Sequence, residues 1–252
     1  MESQKPDSPK ELTFDDFKAL ASDQSLTNYG KIGFPDSYRA GKEELIFDDI
    51  RLKLPNLAAS GKTVLEIGPG CSGPAVMMID WCRQRDHRLV LVDSEEMLSH
   101  LPNEPFITKF SGRYPDQCGP LFEAYRGKID AIVCYSVLHY IFIETNLFDF
   151  LDHSLTLLAD GGQMLVGDVP NQSKRRRFFS STNGIKFHQA FTGTTGLPEV
   201  NFNEVDTGKI DDSVLIGLVL RARAAGYDAY LVPQPFNLPM ANRREDLLIC
   251  KP

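Results

Sequence analysis

Glu66-Ile67-Gly68-Pro69-Gly70-Cys71-Ser72-Gly73 is the stretch that decides the fold. The apolar run Thr63-Val-Leu-Glu-Ile leads into it, and Pro74 followed by Ala75-Val-Met-Met-Ile-Asp-Trp-Cys leads out. The first run reads as a short buried strand, and a proline suits the first turn of the helix that follows. Glycines between a strand and a helix let backbone amides approach a ligand and adopt φ angles that other residues avoid. The spacing G-x-G-x-x-G is shared with dinucleotide sites, and Asp93 stands about twenty residues beyond it, after the apolar run Leu89-Val-Leu-Val. Taken alone, the motif implies a nucleoside-type ligand and leaves its identity open.

Outward from this unit, strands and helices keep alternating. A weaker third strand is expected at Phe106-Ile-Thr-Lys-Phe, a fourth at Ile129-Asp-Ala-Ile-Val-Cys-Tyr and a fifth at Gln163-Met-Leu-Val-Gly. Residues 147–158 read as a helix with Leu151, Leu155 and Leu158 facing inward, closed by Asp160-Gly-Gly. A further helix, Ser213 to Gly226, precedes Tyr227-Asp-Ala-Tyr-Leu-Val and Asp246-Leu-Leu-Ile-Cys, two strands joined by a short segment and so antiparallel to each other. Strands that are apolar throughout and alternate with helices predict an α/β fold, a mainly parallel sheet with helices on both faces.

Two regions stand apart from this rhythm. Ahead of the first strand, Thr13 with Asp16 reads as a helix start whose apolar face is Phe14, Phe17, Leu20 and Ala21, and a second helix is expected over 42–54. Residues 1–62 are therefore read as an N-terminal helical lid and 63–252 as the ligand-binding domain. Within the latter, about 170–210 is long, polar and glycine-rich, which predicts a cap after the fifth strand rather than a connector.

The formal charge of -7 and a pI near 5.3 disfavour nucleic acid as the default partner. The start, MESQKPDSPK, has no apolar run behind its charges and is read as no secretory signal, and no window is apolar enough for a membrane span. The five cysteines are odd in number and form no C-x-x-C pair, which fits reduced thiols and a cytoplasmic location and gives no zinc site.

Glu66 sets the ligand's charge. It lies two residues before the first glycine, where a dinucleotide's pyrophosphate would meet a carboxylate of like sign; an ammonium and a sulfonium suit it better. Here the chain resembles the class I S-adenosylmethionine-dependent methyltransferases. The resemblance spans about 63–252 and is carried by Val64-Leu-Glu-Ile-Gly-Pro-Gly, Val92-Asp-Ser-Glu-Glu-Met-Leu, Asp130-Ala-Ile-Val-Cys-Tyr-Ser-Val-Leu-His-Tyr-Ile and Ala159-Asp-Gly-Gly-Gln-Met-Leu-Val-Gly-Asp, in that order. It implies a Rossmann-like, seven-stranded sheet with an antiparallel C-terminal strand. It implies S-adenosyl-L-methionine as cofactor, with the methionine part over Gly68–Gly70, the ribose on Asp93, and Tyr135 and Ser136 along the methionine side. Ile67, Pro69 and Ser94 complete that set. The chain departs from the family after the third strand, where Phe110-Ser-Gly-Arg-Tyr114 replaces an acidic residue, so the adenine contacts are read as Ser111 and Gly112.

For the chemistry, the candidates for a base are His139, Asp168 at the end of the fifth strand, and His188 in the cap. Lys174-Arg175-Arg176-Arg177 is the one dense basic run, and arginines pair with phosphate or carboxylate. It predicts a small, anionic or nucleotide-linked sugar-type acceptor, methylated on oxygen or nitrogen. Tyr38 and Arg39 are read as an upstream lid element over the cofactor and substrate. Two rival readings are a nicotinamide-dependent oxidoreductase on the same glycine loop and a non-catalytic relative that only binds cofactor.

Overall fold

The computed structural model describes residues 12–33, 41–204 and 206–252. Among the described residues the α-helices α1 (Phe14–Ser22), α2 (Asn28–Lys31) and α3 (Glu43–Lys53) come first. The alternating unit follows as β1 (Thr63–Ile67), α4 (Gly73–Gln84), β2 (Arg88–Asp93), α5 (Glu95–Leu98), β3 (Ile107–Ser111), α6 (Gly119–Tyr125) and β4 (Ile129–Tyr135). Then come α7 (Leu138–Glu144), α8 (Leu147–Leu157), β5 (Leu158–Pro170), α9 (Gln172–Phe179), α10 (Thr182–Thr192), α11 (Asp212–Ala224), β6 (Asp228–Pro233) and β7 (Arg244–Cys250).

Among these residues the strands form one sheet in the order β3-β2-β1-β4-β5-β7-β6. All strands run parallel except β7, which is inserted antiparallel between β5 and β6. Alternation along the strands separates two cores. Leu65, Val90 and Ile132 face α6, α8 and α11; Val64, Leu89, Leu91 and Val133 face α3 and α4. Both faces are buried, which is why the strands read as continuous apolar runs.

The expected helix start at Thr13 is a full capping box: the Thr13 hydroxyl accepts from the Asp16 amide and the Asp16 carboxylate accepts from the Thr13 amide. One expectation is overturned. Asp160-Gly-Gly does not close the preceding helix, which stops at Leu157. Leu158 is already extended, fully buried and paired with Ile129, so β5 starts five residues early. Gly161, at φ +70°, turns the chain inside the strand before pairing resumes at Ala131 and Gln163.

From β1 the chain proceeds to β2 and β3 on one side of the sheet and returns to β4 and β5 on the other. Open α/β sheets bind ligands beyond the carboxyl ends of the strands at such a switch point.

Candidate functional site

Beyond β1 and β4 lies a cleft of about 1110 Å³ of empty space including its open mouth. Its floor is the glycine loop. Gly68 and Gly70 both hold left-handed φ values, +66° and +64°. A Cβ on Gly68 would stand 2.6 Å from Val137 Cγ2, and one on Gly70 would stand 2.7 Å from Ile32 Cγ2. Only bare backbone fits there. Asp93, at the end of β2, is tied to this loop: its carboxylate accepts from the amides of Gly70 (3.3 Å) and Ser94 (2.7 Å).

Glu66 lines the same cleft and is 7% exposed. Its Oε2 is buried and has no hydrogen-bond partner among the described residues. Burial, and then the charge of Asp93, push its carboxyl up to about 8. Burial likewise raises Asp93 to about 6, against the two amide bonds that lower it. No Lys or Arg makes an ion pair with either carboxylate among the described residues; Arg113, the basic residue of the wall, pairs with Asp116 at 3.1 Å. A buried carboxylate oxygen without a partner costs free energy unless a ligand supplies the donor. Glycine cradle, orphaned oxygen and strand-end aspartate together fit a ligand with a cationic head and a hydroxyl-bearing nucleoside.

The roof comes from α1 and α7. Phe14 and Phe17 line the cleft, the Phe17 ring meets Tyr140 edge-on at 4.8 Å, and the Phe14 amide donates to Glu144 at 2.9 Å. These contacts place an apolar cover over the cleft.

The same fold recurs in solved structures. The N-methyltransferase NodS from Bradyrhizobium japonicum, crystallised with S-adenosyl-L-homocysteine, has a TM-score of 0.57 at 15% identity, over 96% of this chain and 100% of that one. The plantazolicin methyltransferase BpumL, in complex with a triazolic desmethylPZN analogue and the same thioether, also gives 0.57, at 11% identity over 94% and 98%. An O-methyltransferase family protein from Burkholderia thailandensis gives 0.54 at 15% identity; the alignment covers 95% of this chain and 62% of that one. This chain has the Rossmann-like methyltransferase fold. No family model and no curated protein matches its sequence.

Within the methyltransferase fold, the sequence-predicted residues fall into two groups. Glu66, Ile67, Gly68, Pro69, Gly70, Asp93, Gly112, Tyr135 and Ser136 all line the cleft. Ser94 does not; its hydroxyl caps α5 by accepting from the Met97 amide. Ser111 is exposed and outside the wall, while Arg113 and Tyr114 stand in it beside Gly112. His139 lies half-buried on α7 with its ring 3.9 Å from that of Tyr140, and Tyr140 takes the cleft position. His188, on α10, sits edge-on to Phe179 at 6.3 Å and lies outside the wall.

Asp168 sits directly behind the wall: Ser136 Oγ donates to its Oδ2, and Arg244 pairs with the same oxygen at 3.2 Å. The basic run belongs to α9. Arg176 pairs with Asp206 at 2.5 Å, Arg177 pairs with Asp212, and the Arg175 guanidinium lies 5.3 Å from the Phe179 ring centre. Tyr38 and Arg39 fall outside the described residues. Sequence reasoning missed Phe14, Phe17, Ile32, Met97 and Tyr140 as cleft residues. For Phe14 and Phe17 the signal was present as the apolar face of α1, read only as packing.

Proposed function

We propose that this chain transfers the methyl group of S-adenosyl-L-methionine to an oxygen or nitrogen of a small polar acceptor. The observation that carries the reading is Glu66 Oε2, buried and unpartnered beside a glycine cradle that admits no side chain. When bound, the cofactor supplies an electrophilic methyl on a sulfonium. Glu66 offers a carboxylate to its cationic part, and Asp93 offers one to its ribose hydroxyls. The α1–α7 roof excludes water from the nucleoside side. Holding two reactants in line can contribute up to roughly 7–11 kcal/mol in favourable cases.

Among the candidate bases, Asp168 has the best support. Ser136 lines the cleft and donates to Asp168, so a proton released at the wall reaches that carboxylate through one hydroxyl. The nucleotide-linked, anionic acceptor class now rests on Arg175 alone within the basic run, since Arg176 and Arg177 already hold carboxylates. Five unpaired thiols support a cytoplasmic setting. Among the described residues no helix is long and apolar enough to cross a membrane.

Calorimetric titration with S-adenosylhomocysteine and with NAD tests the reading. The thioether is expected to bind and NAD to give no heat, and Asp93→Ala should weaken the thioether by at least about tenfold. Binding of NAD alone would replace this reading with the oxidoreductase one. Labelled S-adenosylmethionine with UDP-glucose, ethanolamine and RNA as acceptors then tests turnover, and transfer to none of them would leave a cofactor-binding protein.

A further inference from the structure

We infer that Arg244 and Asp246, two charged residues of β7, are positioning residues for the methionine side of the cleft, acting through Asp168 on Ser136. The inference rests on the cofactor reading above.

It starts from the backbone. Ser136, one residue past β4, and Asp168, near the end of β5, hold φ values of +64° and +57°. Residues other than glycine persist there only when their surroundings over-determine them, and such residues cluster at functional sites. Asp168 also lies in a β-bulge. Val166 pairs with Leu247 and Val169 with Glu245, so Gly167 and Asp168 together oppose Asp246. A bulge leaves a backbone group without a ladder partner and re-aims the side chain beside it. Here the Asp246 side chain supplies the partner, its Oδ1 accepting from the Asp168 amide at 2.8 Å.

The other face of Asp168 is held by Arg244, whose Nη1 donates to the Asp168 carbonyl (2.6 Å) and to its Oδ2 (3.2 Å). Asp246 is anchored in turn by Lys53 of α3 at 2.7 Å and by the Gln234 amide at 2.9 Å. Asp246 is 0% exposed, Asp168 4% and Arg244 9%. Ser136 closes the chain of contacts, its amide donating to the Gly167 carbonyl at 2.9 Å and its hydroxyl to Asp168. Of these residues, Ser136 is the one that lines the cleft.

A buried polar network such as this could serve stability alone. Its location argues for more. It terminates on the β4 side of the switch point, opposite the β2–β3 side, where Asp93, Met97 and Gly112 line the cleft and the cofactor reading puts the nucleoside. Its influence is therefore expected on the amino-acid end of the ligand and not on the nucleoside end.

That asymmetry supplies the test. 5′-Methylthioadenosine has the nucleoside and thioether of S-adenosylhomocysteine and lacks the amino-acid end. Arg244→Lys keeps the charge and removes the rigid, planar guanidinium whose Nη1 is held between the Asp168 carbonyl and carboxylate. By calorimetry it should weaken S-adenosylhomocysteine at least about tenfold and 5′-methylthioadenosine by less than about twofold. Ser136→Ala should produce the same split. Equal loss for both ligands, or unchanged affinity for the thioether, would overturn the positioning role. Should Arg244→Lys fail to fold, Ser136→Ala decides by the same criterion. Wild-type protein that binds neither ligand would overturn the proposed function itself, a result distinct from the loss of the split.

Discussion

Two pairs of carboxylates, one in the cleft and one behind its wall, are treated in opposite ways. Behind the wall, Asp168 has Arg244 and Asp246 has Lys53. In the cleft, Glu66 and Asp93 have no ion-pair partner among the described residues, and Glu66 keeps one oxygen without any hydrogen bond. Buried charges are ordinarily paired because desolvation is costly. The rear pair obeys that rule and the cleft pair departs from it. On the proposed function, that departure is where the cofactor would complete the electrostatics.

The largest expected effect attacks the cleft through its backbone. Gly68→Val puts a branched side chain at φ +66°, its Cβ 2.6 Å from Val137. S-Adenosylhomocysteine affinity should fall by at least about a hundredfold. Retained affinity would mean that the cradle is not the binding floor.

Glu66→Gln sharpens the comparison because it should move stability and binding in opposite directions. With its carboxyl raised from 4.5 to about 8 in the fold, native protein holds a proton that unfolded chain has released across that interval. The stability contributed by this group is fully present below pH 4.5 and is lost as the pH rises toward 8. The unfolding temperature of Glu66→Gln should therefore pull ahead of wild type between pH 5 and pH 8, by about 2–4 °C per kcal/mol recovered. Its affinity for S-adenosylmethionine should drop about tenfold. A variant that tracks wild type across this range would place Glu66 with the satisfied carboxylates.

The smallest effect is expected from Arg176→Ala with Arg177→Ala. Their partners Asp206 and Asp212 are one-third exposed, and pairs of this kind contribute about 0–1 kcal/mol. S-Adenosylhomocysteine affinity should not change. A large loss would break the contrast, because a paired surface cluster would then be acting as a binding group.

Local features were legible in the sequence and long-range ones were not. β1, β2 and β4 could be read because each is apolar on both faces, and Gly68 and Gly70 because the motif places them in a turn that needs positive φ. The capping box at Thr13 spans only four residues, Thr13 to Asp16, and was equally plain. β5 was misjudged at its start because Asp160-Gly-Gly suits a helix end as well as it suits a turn inside a strand. The basic run looked free because Asp206 and Asp212 lie 30 and 35 residues further along. Lys53 and Asp246 are 193 residues apart, beyond the reach of any local pattern. Charge in the sequence names the ions; only the fold says which of them are paired.

The placement of β7 has a consequence for assembly. It follows every other strand in chain order yet fills an interior slot, between β5 and β6. During synthesis β5 must wait with an unsatisfied edge, and β6 has no neighbour to join, until β7 leaves the ribosome. That strand also carries the arginine and aspartate that lock the tip of β5. Completion of the sheet and placement of the Arg244 and Asp246 contacts on Asp168 therefore become a single late event.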